Sequence, residues 1–510
     1  MTMEIPAGFA RARACKAGGI ALQCSENFLS LPTIPENAYK ERIMQITYTA
    51  FGGAREVTGS KHMLTIGNQK ILMDCGMFQG HREESDQRNR MLPFNAKDLA
   101  AVILSHGHFD HCGNMPTLIN QGYNGNIYAT DGTRDIANLI MMDAAHIMAK
   151  DYEWLLSKGR KAYKPIYNER DVVEAIDHFI TLGYQRPLHI TDKATLEFYT
   201  AGHILGSSVV FLRLNDNGAE KTIAFSGDLG RPGAAIIKPA DPIPTPDYLL
   251  LESTYGNRLH DPIENAGQEM AQVINETIAQ GGKIIIPSFA VGRTQELIYF
   301  LHLLKDSKAI PNDLPVYVDS PMAVNATSIF QVHQECYNEA VRQQFIDHHE
   351  NPFGFNGLNY ISDVKQSMAI NEQPGSCIII SSSGMCEAGR ILHHLKNNIG
   401  SAKNTILIVG YMAQNTLGRA LADKLPVVKI FGNEYVRKAR VKILNTFSGH
   451  ADYNDLLNYV KKLDLGKLKK IYLVHGEGDA QNNLQKLLLQ AGVKSVDIVE
   501  PEQEYRLFGT

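Results

Sequence analysis

The segment LSHGHFDHCGN, residues 104–114, places His106, His108, Asp110 and His111 within six positions. The apolar run that leads into it reads as a buried strand, expected over 101–105. His106 and His108 are two apart, so in an extended segment they point the same way. They leave the strand at its C-terminal end, where open α/β sheets place ligand crevices. Asp110 and His111 lie past the bend, placed to serve a neighbouring metal. Neutral imidazoles with carboxylates suit Zn²⁺, and manganese and iron accept the same donors.

Four residues cannot close two metal shells. Further donors lie on turns after strand-like runs: Asp74 in KILMDCG, His203 in YTAGHILGS and Asp228 in AFSGDLGRP. Each is flanked by or close to glycine, as a tight turn at a strand end requires. Taken singly, each reads as turn chemistry rather than as a ligand; together with the histidine motif, in this order, they read as donors. Near the end of the chain, KKIYLVHGEGD (469–479) carries His475 at the tip of another apolar run. On its own a histidine there is an ordinary polar strand-end residue.

The chain around these residues has 510 residues, 44% of them hydrophobic and 20% charged, with a net charge of −4. That length exceeds one simple core and implies at least two domains. The charge argues against bulk adhesion to nucleic acid, though not against a locally basic groove. No run of 18 apolar residues occurs, so no membrane helix is expected. The cysteines are Cys15, Cys24, Cys75, Cys112, Cys336, Cys377 and Cys386, an odd number without CxxC spacing. Reduced thiols in a cytoplasmic setting follow. Residues 1–43 lack a sustained apolar core of the secretory type and read as a disordered or dispensable leader.

From 46 to 256 the pattern is strands first, with helices interspersed. Gly67-Asn68 marks a hairpin between two alternating segments, and residues 134–158 have helical spacing. From 257 to 445 strand-then-helix units recur, as in GKIIIPSFAVGRTQELIYFLHLLK (282–305) and SCIIISSSGMCEAGRILHHL (376–395). Alternating β and α imply a parallel sheet with crossover helices. After 445 a helix and the KKIYLV strand return. The expected architecture is one α/β domain (44–256 and 446–510) interrupted by another (257–445).

In order, Asp74, the His106-His108-Asp110-His111 group, His203 and Asp228 resemble the motifs of the metallo-β-lactamase fold superfamily. LLLESTYGNR with Glu252, FSGHADY with His450 and LVHGE with His475 resemble those of its β-CASP branch, which includes the cleavage-and-polyadenylation endonuclease subunit and bacterial and archaeal relatives. The resemblance covers about 44–510. It implies an αββα sandwich interrupted by a β-CASP α/β domain with a mainly parallel sheet, and a two-zinc ribonuclease. It further implies that His106, His108 and His203 bind one zinc, that Asp110, His111 and His475 bind the other, and that Asp228 bridges both. Asp74 then orients a ligand or the bridging hydroxide, and Glu252 pairs with His450 beside the scissile phosphate. Single-stranded RNA is the expected partner, because the DNA-processing branch typically carries valine at the position of His475. The other readings are such a DNA enzyme, a small-molecule hydrolase of the same superfamily, and a non-catalytic subunit. The small-molecule reading leaves the insert without a task, and the last conflicts with the full donor set.

In the insert, SSSGM (381–385) sets hydroxyls and a glycine between a strand and a helix. Ser382, Ser383 and Gly384 are therefore candidate phosphate contacts, although a helix cap would look the same. Arg293 is a further candidate substrate contact, and Arg390, Lys396 and Arg419 follow strands in the same domain and are placed to track a backbone. Cleavage mode and oligomeric state, a homodimer included, stay open.

Overall fold

Strands Lys61–Ile66 and Gln69–Met73 pair antiparallel around the Gly67-Asn68 turn, as expected. They form the middle of a seven-stranded sheet that runs, edge to edge, Glu504–Phe508, Ile46–Gly52, Lys61–Ile66, Gln69–Met73, Leu99–Ile103, Ile127–Ala129 and Phe179–Thr181. A second seven-stranded sheet runs Val496–Ile498, Lys470–Val474, Tyr248–Glu252, Ala219–Phe225, Ser208–Asp216, Ala194–Thr200 and Leu188–His189. The computed structural model describes residues 45–80, 82–216, 219–410, 412–413 and 415–509. The expected leader lies outside the described residues.

The two sheets face each other across a dry core. Tyr48, Leu64, Ile71 and Ile103 from the first meet Phe198, Val210, Leu212, Phe225 and Leu250 from the second. Apolar side chains on the opposite faces are covered by helices. Helix Asp131–Ser157 packs over the first sheet through Ile136, Ala137, Ile140 and Met141. Helices Tyr453–Lys461 and Gly478–Gln490 pack over the second through Leu456, Val460, Leu484 and Leu488. Strands buried on both faces lose the strict alternation of a half-wet strand, which is why Leu249, Leu250 and Leu251 occur in succession, all with no exposure. This is the αββα sandwich.

A third sheet runs Leu358–Ile361, Val316–Asp319, Ile378–Ser381, Ile284–Pro287, Thr405–Ile408 and Arg440–Ile443. Every neighbouring pair in it is parallel. All its strands come from the chain between Tyr248–Glu252 and Lys470–Val474, which are themselves parallel neighbours in the second sheet. The insert thus leaves one strand of the sandwich and returns to the adjacent one. A separate hairpin, Val427–Ile430 with Asn433–Val436, precedes the edge strand Arg440–Ile443.

Where the structure departs from the sequence reading, the cause is local. The strand before the histidines stops at Ile103 rather than 105. The Ser105 N–H turns away from the ladder and donates to Asp74 Oδ1 (2.8 Å). Among the described residues, no helix is long and apolar enough to cross a membrane.

Candidate metal centre

The donors converge because strand ends converge. Asp74 follows Gln69–Met73, His106 and His108 follow Leu99–Ile103, and His203 follows Ala194–Thr200. Asp228 follows Ala219–Phe225, Glu252 ends Tyr248–Glu252, and His475 follows Lys470–Val474. Backbone bonds tie neighbouring ends together: Asp74 N–H to the Ile103 carbonyl, Ser226 N–H to Leu250 and Ser253 N–H to His475. The loop bearing Asp110 presses so close to Gly76 that a Cβ there would lie 1.6 Å from the Asp110 carbonyl.

Three groups result, the first and third sharing Asp228: His106, His108, His203 and Asp228; Asp110, His111 and His475; and Asp228, Glu252 and His450. In the first, His108 Nδ1 lies 3.1 Å from both His106 Nε2 and His203 Nε2. Asp228 Oδ2 is 3.5 Å from His106 Nε2 and 3.7 Å from His203 Nε2. A tetrahedron with zinc–nitrogen bonds of ordinary length has edges of about 3.3 Å. In the second group, His111 Nε2 lies 3.2 Å from His475 Nε2, and Asp110 Oδ2 is 3.5 Å from His475 Nε2 and 3.9 Å from His111 Nε2. Asp228 Oδ2 is also 3.4 Å from His111 Nε2, so this carboxylate serves both groups.

The surrounding hydrogen bonds fix which ring nitrogen faces inward. A carboxylate or carbonyl can only accept, so His111 Nδ1–H donates to Asp74 Oδ2 (2.7 Å) and His203 Nδ1–H to the Gly449 carbonyl (3.0 Å). Ser105 Oγ–H donates to Asp74 Oδ2 (3.0 Å), so His106 Nδ1–H donates to Ser105 Oγ (3.1 Å). Thr254 Oγ–H donates to the His475 carbonyl (3.2 Å), leaving its oxygen to accept from His475 Nδ1–H (3.1 Å). In the neutral form of each ring, the Nε2 atom then carries the lone pair. With both rings neutral, the lone pairs of His111 Nε2 and His475 Nε2 face each other at 3.2 Å and repel unless a cation lies between them. Asp228 Oδ1 is buried and accepts no hydrogen bond, although His475 Nδ1 is 3.2 Å away. The residues fit a divalent metal such as zinc.

The electrostatics divide the two groups: in the second, against burial, the carboxylates of Asp228, Asp74 and Asp110 raise His111 well above the usual histidine range, whereas the first group is the reverse. Burial, with the neighbouring imidazoles, holds His106 and His203 well below the usual histidine range. Burial puts His108 at about 4 against the pull of Asp110 and Asp228. These rings are neutral, the form that binds metal. His450 differs. Burial opposes its charge, but the Glu252 carboxylate raises it to about 9. Its Nδ1 lies 3.4 Å from Glu252 Oε1, and Glu252 is held by the Leu229 N–H (2.6 Å) and Thr254 N–H (3.3 Å).

All the expected donors thus meet at one place. The candidate substrate contacts lie past strand ends of the third sheet, Ser382, Ser383 and Gly384 after Ile378–Ser381 and Arg293 at the start of the helix that follows Ile284–Pro287, and the serine hydroxyls are engaged within the protein. Ser382 Oγ donates to Ser320 Oγ (3.1 Å), and Ser383 Oγ accepts from the Glu387 N–H (3.1 Å) and Ala388 N–H (3.3 Å). Gly384 lies against the Phe289 ring. Arg293 pairs with Glu296 and lies beside Gly449, next to His450. Arg390 does not stand ready to track a backbone: it is clamped by Asp319 (2.6 Å) and the carbonyls of Ile361 and Ser362. Arg419 pairs with Asp423. Two residues went unread in the sequence. His260 Nε2 is 3.1 Å from the His450 carbonyl, and Arg231 Nη1 donates to the Thr446 carbonyl (2.7 Å), pinning the loop that carries His450. Only the position of His260, just past ESTYGNR, pointed to it.

Three domain families match this chain. Residues 63–223 match the metallo-beta-lactamase superfamily domain, 294–421 the Beta-Casp domain, and 434–499 the Zn-dependent metallo-hydrolase RNA specificity domain. This is the organisation of a metallo-hydrolase of the metallo-β-lactamase fold with a β-CASP insertion. Among similar proteins, Ribonuclease TTHA0252 of Thermus thermophilus is 36% identical over 87% of this chain and 96% of its own length. Transcription termination factor FttA of Cenarchaeum symbiosum is 33% identical over 86% of this chain and 67% of its own. An RNase J-like protein of Methanocaldococcus jannaschii is 32% identical over 84% and 91%. The chain belongs to the metallo-β-lactamase/β-CASP ribonuclease family. A solved structure of a protein of unknown function from Enterococcus faecalis shares the fold, with a TM-score of 0.54 at 13% identity over 91% of this chain and 100% of that one.

Proposed function

We propose that the chain hydrolyses phosphodiester bonds of single-stranded RNA with two zinc ions. The observation that carries this reading is the Asp228 carboxylate, shared by two histidine-rich cradles and lying 3.8 Å from the cationic His450. The RNA assignment is supported by the names of the relatives, a ribonuclease and a termination factor. His106, His108 and His203 would hold one ion, Asp110, His111 and His475 the other, and Asp228 both. Zinc so placed lowers the pKa of water and screens the charge of a phosphate.

The chain's own residues supply the rest. Asp74 fixes the His111 ring through its Nδ1–H and so aims the other nitrogen inward. Glu252 keeps His450 protonated, which lets His450 hydrogen-bond a phosphate oxygen or give its proton to the leaving oxygen. His260 and Arg231 hold the His450 loop in place. Backbone at Ser382, Ser383 and Gly384, with Arg293, would meet flanking phosphates. We read 44–256 with 446–510 as the metal-bearing domain and 257–445 as the substrate-channel insert.

Metal content and cleavage of RNA and DNA strands of equal length test the proposal together. The expected result is about two zinc ions per chain and preferential cutting of RNA. Protein without stoichiometric metal, or DNA cut as readily as RNA, overturns it.

A further inference from the structure

The hairpin Val427–Ile430/Asn433–Val436 closes with two residues, Phe431 and Gly432, between the paired Ile430 and Asn433. Both have positive φ, 52° and 79°. That is the type I′ turn, whose first central position favours asparagine, aspartate or glycine. A bulky aromatic side chain in this backbone region is an outlier that costs free energy. Burial does not compensate for it, because Phe431 is 51% exposed. Its ring lies 4.7 Å from that of His393, also exposed, in the helix Ile391–Asn398.

The position of this aromatic pair is informative. Ile391 N–H donates to the Ser382 carbonyl (3.2 Å), so His393 stands within the first turn of a helix rooted on the Ser382–Gly384 segment. This stretch of sequence is basic in a chain of net charge −4: between 424 and 442 stand Lys424, Lys429, Arg437, Lys438, Arg440 and Lys442 against one acid, Glu434. Arg440 and Lys442 face Glu276, Arg437 is held by the carbonyls of Lys424, Leu425 and Ala439, and Lys424, Lys429 and Lys438 are exposed. Lys429 and Lys396 are exposed and flank the two rings in sequence. An exposed aromatic face on a hairpin that also carries exposed lysines is the chemistry that receives a base of a single strand: the ring stacks the base and the cations meet the phosphates.

We propose that Phe431, backed by His393, is a base-stacking subsite for single-stranded RNA outside the metal centre, fed by the Ser382–Gly384 side of the channel. This rests on the RNA reading above and adds to it a specific contact. The turn supplies a clean variant. Phe431→Asn places the residue that the turn prefers, so the thermal midpoint is expected to stay or rise. Phe431→Tyr keeps the aromatic face.

The test uses full-length protein and an RNA of about 15 nucleotides, with KM and kcat for the metal-loaded enzyme. Fluorescence anisotropy in a His450→Ala background follows binding of uncut RNA. Phe431→Asn is expected to raise KM and weaken binding about tenfold with kcat unchanged, and Phe431→Tyr to behave as wild type. Equal binding by wild type and Phe431→Asn overturns the subsite. So does a change in sedimentation mass for Phe431→Asn, which would assign the ring to a protein contact. Wild type that binds RNA without cutting it refutes the hydrolase reading and leaves the subsite standing. Wild type that binds no RNA refutes both.

Discussion

His111 and His475 are 364 residues apart in the chain, and their Nε2 atoms are 3.2 Å apart in the fold. Each ring has its Nδ1–H committed, to Asp74 and to Thr254. Two Nε2 atoms therefore point at one spot. His475 reaches it with a φ of +47°, a left-handed conformation uncommon outside glycine, although histidine is among the residues that adopt it more readily. The Gly53 carbonyl, which accepts the His475 N–H, helps hold it there.

Replacing His475 with alanine should therefore empty part of the metal site. Metal analysis is expected to show loss of about one ion per chain, with cleavage down by more than about a hundredfold. Full metal content in this variant would show that His475 is not a ligand.

Asp74 carries no metal in this reading, yet it accepts from Ser60 Oγ, Ser105 N–H, Ser105 Oγ and His111 Nδ1–H while fully buried. Asp74→Asn turns one acceptor into a donor among four donors. Metal affinity should fall about 10- to 100-fold, and stability by about 1–3 kcal/mol. Competition with a calibrated chelator measures the first, and denaturation of the zinc-saturated protein the second.

His450 should separate metal from chemistry. His450→Ala is expected to keep the zinc of the wild type and lose about 10²–10⁴ in kcat. Glu252→Gln should follow it in direction, since the carboxylate is what holds His450 charged. Depleted zinc in both variants would make the pair structural.

His333 joins the sandwich to the inserted domain. Its Nε2–H donates to Asp135 in helix Asp131–Ser157 (2.9 Å), and Nδ1–H donates to Glu335 (2.9 Å). The hydrogen bond to Asp135 leads in raising its pKa above the usual value near 6.5, with Glu335 assisting against burial. A raised folded-state pKa gives stability that is complete below pH ~6.5 and is lost as pH rises through the folded value. His333→Gln should cost about 1–2 kcal/mol near pH 6 and less near pH 9. Thermal midpoints of variant and wild type at both pH values check this, and a gap independent of pH would refute it.

Much of this molecule is written locally. The apolar runs with their turns mark most strands, and Gly67-Asn68 marks a hairpin that forms as read. The β-then-α texture between 282 and 421 announces a parallel sheet, because crossover helices demand it. The histidines at 106, 108 and 111 announce metal chemistry because their spacing alone brings them to one strand end.

Other features had no local signature. Arg390 looks like a surface cation until Asp319, 71 residues earlier, clamps it. Phe431 looks like a hydrophobic residue of a strand until the hairpin places it at an exposed turn. His260 gains meaning only from the carbonyl of His450, 190 residues on.

The sequence by itself determined most element types and the interruption of one α/β domain by another, since these depend on periodicity; the candidate donors were legible as residue types at strand ends, and their full set came from the resemblance to a family. Only the tertiary structure decided which nitrogen of each imidazole faces inward and set Asp228 Oδ2 within 3.4 Å of His111 and 3.5 Å of His106. It also decided that His450 is cationic while His108 is neutral. The reason is physical: tautomer, charge and shared coordination depend on distances of about 3 Å between groups, and those distances exist only once parallel strands from the two ends of the chain lie side by side.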